Sequence, residues 1–392
     1  MDSMPWHVLK SPLSQWQVMP SFLIGEWLFI ACAVAALLHA LSQPGEARRR
    51  HLLVWIGALV AGTANDAIFM ALPLVDNFWQ AQATIMLTPR MPLYIPCVYI
   101  WFMYVPTVAV WRLGLPAWAR APLAGLSAIV LYAPYDITGA KFLWWTWHDT
   151  DRPIANRLLG APLGSTIWVI TFVAAFSLLI QRMVAKEPLT LRRSLLALLV
   201  VALGSTPLMV LQMTALQELD GGTPGIRALV AVVLLYLVLV GLGLRKRDRS
   251  VADAARGPAD RRLFITVAVH VATLALIMAL FDPTTHRSTS VHQTIGPCHV
   301  EAIDITGAKR FEFLCAADYD EDFSFACLSE PPPDGARWYT VCGKPHEHFG
   351  LWLGAVSGLA ALGMALFGWM LGARSPRAAV VKSVESPSES RP

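Results

Sequence analysis

The sequence reads as an all-α fold, a polytopic bundle of about nine transmembrane helices with a small disulfide-stapled extracytoplasmic cap. Three features point there. Apolar runs of bilayer length recur from Phe22 to Gly372. Charge is scarce: 15% of the 392 residues are charged, where a soluble domain carries about 25%. The loops joining the runs alternate between basic and non-basic. Hydrophobic residues make up 55% of the chain and the mean hydropathy is +0.51. Such a composition suits side chains that face hydrocarbon, where charge is costly.

The runs cover 22–42, 52–75, 91–113, 121–137, 164–184, 194–216, 226–245, 263–281 and 350–372. Most approach the roughly 20 residues that cross a core about 30 Å thick, and the fourth is short. Within hydrocarbon each backbone group must bond inside its own segment, which selects helix. The period-2 alternation of a membrane barrel is absent. The expected organisation is an eight-span bundle over 1–281, a cap over 282–349, a last helix over 350–372 and a disordered cytoplasmic tail over 373–392. The tail is rich in Ser, Pro and charge, and 246–262 is likewise polar and expected to be a flexible link.

The loops set the orientation. Arg48, Arg49 and Arg50 follow the first span, and Arg112 and Arg120 flank the link from the third to the fourth. Arg182, Lys186, Arg192 and Arg193 lie between the fifth and sixth. Arg245, Lys246, Arg247, Arg249, Arg256, Arg261 and Arg262 lie between the seventh and eighth. Basic loops stay in the cytoplasm. This puts the N-terminus outside and the C-terminus inside a cell membrane. The acidic stretch Glu218 to Asp220 then falls outside. The first 21 residues hold one Lys and no cationic n-region, so the first span is expected to be a permanent helix rather than a cleaved signal.

Cys298, Cys315, Cys327 and Cys342 all fall in the long polar stretch 282–349. Outside the cytoplasm disulfides are permitted, and four cysteines allow three pairings. No C-x₂-C occurs, which favours bridges over zinc. So small a unit buries little apolar surface by itself, and staples offset that. Strand-like pieces stand at 310–314 and 323–325, with turns at Gly296-Pro297 and Pro331 to Pro333. One hexapeptide, Asp136 to Lys141, recurs letter for letter as Asp304 to Lys309. Shared turn chemistry and a shared binding role are both open readings of it.

Ionisable residues inside spans are candidate functional groups. Glu26 lies early in the first span, Asn65 and Asp66 two-thirds through the second, Arg90 at the mouth of the third, and Asp136 at the close of the fourth. All fall in the predicted outer half of the membrane. Glu26 and Arg90 can also snorkel to the interface, whereas Asp66 is too short to reach water from its depth. The third span carries Pro89, Pro92, Pro96 and Pro106, and each interior proline frees a carbonyl that needs a partner. The stretch after Asp136 is the densest: Lys141, Trp144, Trp145, Trp147, His148, Asp149 and Asp151. The tryptophans fit an interfacial belt, and their faces also suit a cation. His148 offers a proton-transfer group beside the acids; no second His stands near it to complete a metal set. His270 stands alone in the eighth span and reads as a satisfied buried histidine.

Asp136, Gly139, the Trp145-Thr146-Trp147 triplet and Gly160-Ala161-Pro162 together resemble the membrane-embedded carotenoid hydratase and lycopene cyclase families. The resemblance is confined to 136–162, and the chain is equally similar to multi-pass families with no assigned activity. It implies protonation chemistry on long polyenes, using carboxylates within a helical bundle. The expected function is an integral membrane enzyme acting on a lipophilic, polyprenoid-like substrate by acid–base chemistry, with membrane lipid around it. Asp66, Asp136, Glu26 and His148 are its candidate catalytic residues. Asn65, Arg90, Lys141, Trp144, Trp145 and Trp147 are candidates for binding. A non-enzymatic transporter or ligand-binding protein is the alternative. No cofactor or metal is expected. The sequence contains no di-iron histidine boxes, P-loop, G-x-G-x-x-G, H-E-x-x-H or G-x-S-x-G. Its basic loops lack interleaved aromatics, which argues against nucleic acid. Inverted-repeat symmetry is not apparent, which weakens the transporter reading.

Overall fold

The computed structural model describes residues 5–72, 74–75, 78–147, 152–185, 188–247, 260–305, 307–317 and 323–372. Among these, nine helices are long and apolar enough to cross a membrane. They are α2 (Pro20–Ser42), α3 (Gly45–Ala71), α4 (Tyr94–Trp111), α5 (Ala117–Lys141), α7 (Leu163–Val184), α8 (Leu191–Gln217), α9 (Ile226–Arg245), α10 (Arg261–Leu280) and α11 (Phe349–Leu371). Short helices α1 (Pro12–Val18) and α6 (Arg152–Ala155) complete the set. The chain is a multi-pass membrane protein. Leu195, Leu199, Leu203 and Leu211 on α8, and Leu234, Leu237 and Val238 on α9, stand exposed. A soluble surface would not carry such continuous apolar faces.

Local chemistry sets the helix ends. Pro20 opens α2, where its missing N–H is no loss. The Thr190 hydroxyl caps α8 by accepting from the Arg193 N–H (3.3 Å), and the Asp260 carboxylate caps α10 through Leu263 (3.1 Å). Helix α4 is the centre of the bundle. It packs on α2, α3, α5 and α7, and every residue from Val98 to Val110 is buried.

Three spans differ most from their sequence limits. Helix α3 begins at Gly45 and ends at Ala71, so Arg48, Arg49 and Arg50 lie in its first two turns rather than in a loop. Helix α4 begins at Tyr94, so Pro89 and Pro92 precede it and Pro96 falls in its first turn. There a proline lacks only an N–H that has no helical partner anyway. Pro106 alone of the four interrupts the helix. Helix α5 runs on to Lys141, past Pro134. Asp136 therefore lies more than one turn inside the helix rather than at its close.

The segment between α3 and α4 folds back into the bundle. Strand β1 (Phe78–Gln80) pairs antiparallel with β2 (Trp145–Trp147), and Ala81 to Thr84 are buried. Strands β3 (Arg157–Leu158) and β4 (Ala161–Pro162) form a second small ribbon. In the stretch after α10, β5 (Arg287–Val291), β9 (Trp338–Gly343) and β8 (Phe323–Ser324) make an antiparallel sheet in that order. Strands β6 (Glu301–Ile303) and β7 (Lys309–Phe311) form a hairpin. Disulfides join Cys298 to Cys315 and Cys327 to Cys342, which selects one of the three possible pairings. The tail 373–392 and most of the 246–262 link lie outside the described residues.

The repeated hexapeptide takes two conformations. Asp136 to Lys141 ends α5, whereas the second copy spans the β6–β7 turn. There Asp304 accepts from the Ala308 N–H (3.0 Å) and the buried Arg310 guanidinium (2.6 Å). A helix following an apolar run and a hairpin turn impose different dihedrals on the same letters, so tertiary context decides.

The cap sits on the bundle through histidines. The Nδ1–H of His286 donates to the Asp282 carbonyl (3.0 Å), which leaves Nε2 to accept from the Ser21 hydroxyl (2.7 Å). Ser21 in turn accepts from the Trp144 indole N–H (3.1 Å). His292 stacks on Tyr339 and bonds to Thr146 (3.1 Å) and Ser290 (3.0 Å). Burial pushes the imidazoles of His286 and His292 down from 6.5 to about 4 and about 3. Asp282 is the charged group acting on His286, while Lys141 and Asp282 act on the neighbouring His346, whose imidazole burial also lowers. Between pH 6.5 and about 4 the undocked cap therefore binds protons that the docked cap refuses. Docking should be full above pH 6.5 and weaken as pH falls through that window. Hydrogen exchange of β5 and β9 at pH 7 and pH 4.5 checks this: faster exchange at pH 4.5 is expected, and equal protection would contradict it.

Candidate functional site

The buried polar residues collect around α4 and the cap-side half of α5. Asp66 is 5% exposed and accepts the phenolic O–H of Tyr99 from α4. Beside it, Asn65 bonds to Tyr99 and accepts from the Thr206 hydroxyl of α8 (3.0 Å). A chain of donors thus runs from α8 through α3 to α4. Gly62, one turn before Asp66, makes room for it. A Cβ there would stand 2.3 Å from the Tyr99 Cβ and 2.2 Å from its Cγ, so any side chain would push the phenol away from Asp66.

Asp136 is 1% exposed. It is hydrogen-bonded to the Ser165 hydroxyl in the first turn of α7, and the Arg157 charge acts on it. Its Oδ1 has no hydrogen-bond partner among the described residues. Buried polar atoms are nearly always paired, so each exception calls for an explanation. Unpaired polar atoms also occur nearby at Thr138 Oγ1, Trp145 Nε1 and Trp147 Nε1.

Tyrosines and tryptophans link the two carboxylates. Tyr132 feels the charges of both Asp66 and Asp136, and it hydrogen-bonds to Ser165. Its ring meets Tyr135 (5.3 Å), Phe102 (5.0 Å) and Trp168 (6.5 Å). Trp168 also meets Tyr99 at 5.8 Å. Tyr135 is bonded to Tyr94, which donates to Gln80 (2.7 Å). The Trp145 indole lies against Tyr135 (4.8 Å) and over Gly139, where a Cβ would come within 2.1 Å of the ring. A small crevice lined by Leu143, Trp145, Thr146, Trp147, Arg157 and Phe323 lies between the end of α5 and the cap.

The other candidates take different places. Glu26 is fully buried and accepts from Thr84 N–H (3.0 Å), Thr84 Oγ1 (2.6 Å) and Ile85 N–H (3.2 Å). It holds the folded-back segment inside the bundle. Arg90 donates to the carbonyls of Met70 (3.4 Å) and Phe78 (3.1 Å) and lies over the Trp79 ring, while its charge acts on Asp66. Lys141 lies beneath the cap with its ammonium over Trp352 (4.7 Å). Trp144 crosses α2 to reach Ser21, and Trp147 meets Phe78 (5.7 Å). His148 lies outside the described residues. Sequence reasoning missed Tyr94, Tyr99, Tyr132, Tyr135, Ser165 and Trp168. Tyrosines three apart just before Asp136 were the one available signal, and in an apolar run they read as ordinary packing. His270 is fully buried, with Nε2 3.1 Å from the Leu131 carbonyl.

Residues 6–370 match the profile of a family described as Domain of unknown function (DUF7802). The chain belongs to the DUF7802 family. No curated protein matches the chain, and no solved structure does. Membership in DUF7802 carries no activity with it.

Proposed function

We propose that this DUF7802 protein is a membrane enzyme acting on a lipophilic, polyprenoid-like substrate by acid–base chemistry. Asp66, which accepts the Tyr99 O–H, is the base, and Asp136 is the acid. The observation that carries this reading is the Oδ1 of Asp136, buried between helices without a partner among the described residues and linked through Tyr132 to a second buried carboxylate, Asp66. A stray structural acid would be expected to find a partner for each oxygen or to be replaced by an apolar residue. The tyrosine and tryptophan faces around the pair supply an apolar, π-rich lining that suits an isoprenoid chain and any positive charge developing on it. Arg90 holds the end of α3, and so Asp66, in place. Lipid and pigment profiling of cells with and without the gene tests the proposal. A species that accumulates in its absence and falls on restoration supports it, and identical profiles count against it.

A ligand-binding or transport role is the second reading. It is favoured by the sealing of both carboxylates inside packed helices, since a site that opens by alternation would look closed in one form. Unchanged lipids with altered uptake would select it.

In the proposed orientation the N-terminus and the cap lie outside the cell and 246–262 lies in the cytoplasm. Single cysteines placed in 282–349 should react with an impermeant maleimide in intact cells once native thiols are blocked, and those in 246–262 should not. Labelling of the second set in intact cells would reverse the orientation.

A further inference from the structure

We propose that Asp260, His39, Tyr104 and His51 form a proton relay on the face of the bundle opposite the cap, taking a proton from the adjoining water and holding it on His39. The four groups come from four places. His39 lies in the last turn of α2, His51 in the second turn of α3, Tyr104 within α4, and Asp260 is the cap of α10. His39 Nε2 stands 2.5 Å from Asp260 Oδ2, and His39 Nδ1 stands 2.7 Å from the Tyr104 hydroxyl. His51 Nδ1 stands 2.9 Å from the same hydroxyl. The Tyr104 side chain is fully buried, and His51 is partly exposed.

The geometry allows two proton arrangements. An ionised carboxylate only accepts, so His39 Nε2 carries hydrogen in both. The Tyr104 hydroxyl has one proton and two Nδ1 neighbours, so it donates to one and accepts from the other. In the first arrangement it donates to His39, and His51 Nδ1–H donates to it. In the second it donates to His51, and His39 is an imidazolium hydrogen-bonded to both Asp260 and Tyr104. Passage between them is balanced. A hydronium ion in the adjoining water gives a proton to His51 Nε2 and becomes water, the His51 Nδ1 proton moves to the Tyr104 oxygen, and the Tyr104 proton moves to His39 Nδ1. One proton is gained, and Tyr104 is neutral before and after.

The remaining neighbours fit this ordering. The Gln43 amide nitrogen donates to the His39 carbonyl (3.2 Å), which leaves the His39 Nε2 hydrogen to Asp260, and the Trp111 ring meets His51 at 5.5 Å. Arg112 acts on Asp260 and donates to the Met370 carbonyl (3.2 Å). Burial opposes the Asp260 charge, but bonds from His39 and Leu263 and the Arg112 charge outweigh it and hold the carboxyl below its usual range. Tyr104 follows Tyr99, which donates to Asp66, by about 7.5 Å of rise along α4.

Histidine C2–H exchange, read by mass spectrometry across pH on the full chain in lipid nanodiscs, tests the relay. Groups that share a proton titrate as a unit, with couplings of about one pH unit or more. His51→Gln should therefore move the exchange profile of His39 by about one unit when Tyr104 is present. In a Tyr104→Phe background the same change should move it by only a small fraction of that. If His51→Gln leaves His39 unmoved, or moves it equally with Phe at 104, the relay is wrong. Should Tyr104→Phe fail to fold, Asp260→Asn serves: both histidine profiles should shift together, and a shift of His39 alone contradicts the relay.

Discussion

Asp136→Asn should lower conversion of the lipophilic substrate by about 10²–10⁴-fold, the usual worth of a general acid or base, while the chain still folds and inserts. The substitution is close to isosteric. It keeps an oxygen for the Ser165 hydroxyl, and the atom it alters, Oδ1, has no partner among the described residues. Asp66→Asn should act alike, because its amide oxygen can still accept from Tyr99. If the two carboxylates were only structural, asparagine would serve well, since it avoids burying a charge. Conversion rates in membranes holding equal amounts of each variant decide the matter. Near-normal rates in both would move the reading to ligand binding.

Loss of the Cys327–Cys342 bridge should destabilise the cap by about 2–5 kcal/mol. The bridge closes a loop of sequence separation 15. Cys342 lies at 4% exposure on β9, the middle strand of the three-stranded sheet. That strand also carries Tyr339, on which the docking histidine His292 stacks. Opening the bridge therefore loosens the sheet and the docking surface together. A paired Cys327→Ala, Cys342→Ala variant should be cleaved within 282–349 at protease levels that leave the unaltered chain intact. Equal resistance would show that the sheet stands without its staple. Cys298–Cys315 closes a loop of similar length around the β6–β7 hairpin, and its loss should act more locally.

The spans were legible because hydrocarbon constrains composition over twenty residues at a time, and no tertiary contact is needed to see that. Helix ends were less so. The end of α5 was misplaced because Asp136 and Lys141 look like interfacial residues, yet tertiary partners bury both. Asp66 and Asp136 stood out as charges in apolar runs. Their setting did not, because Tyr99 reaches Asp66 from another helix and Tyr132, one turn before Asp136, looks like a packing residue in its own run. Glu26 needed the fold-back of 78–93 to be understood, a segment whose Thr84 and Ile85 donate to the Glu26 carboxylate. The disulfide pairing depends on which segments the fold of 282–349 brings together, which cysteine spacing does not encode.

The acid–base claim is tested most directly by solvent deuterium. Membranes containing the protein can be incubated in D₂O with the lipid extract of cells that lack it. Protonation of a carbon by an acid that exchanges with water leaves a non-exchangeable deuterium on the product. One lipid species should gain that label with the unaltered chain and not with Asp136→Asn. No labelled species, or equal labelling by both proteins, would contradict the assignment of Asp136 as the acid.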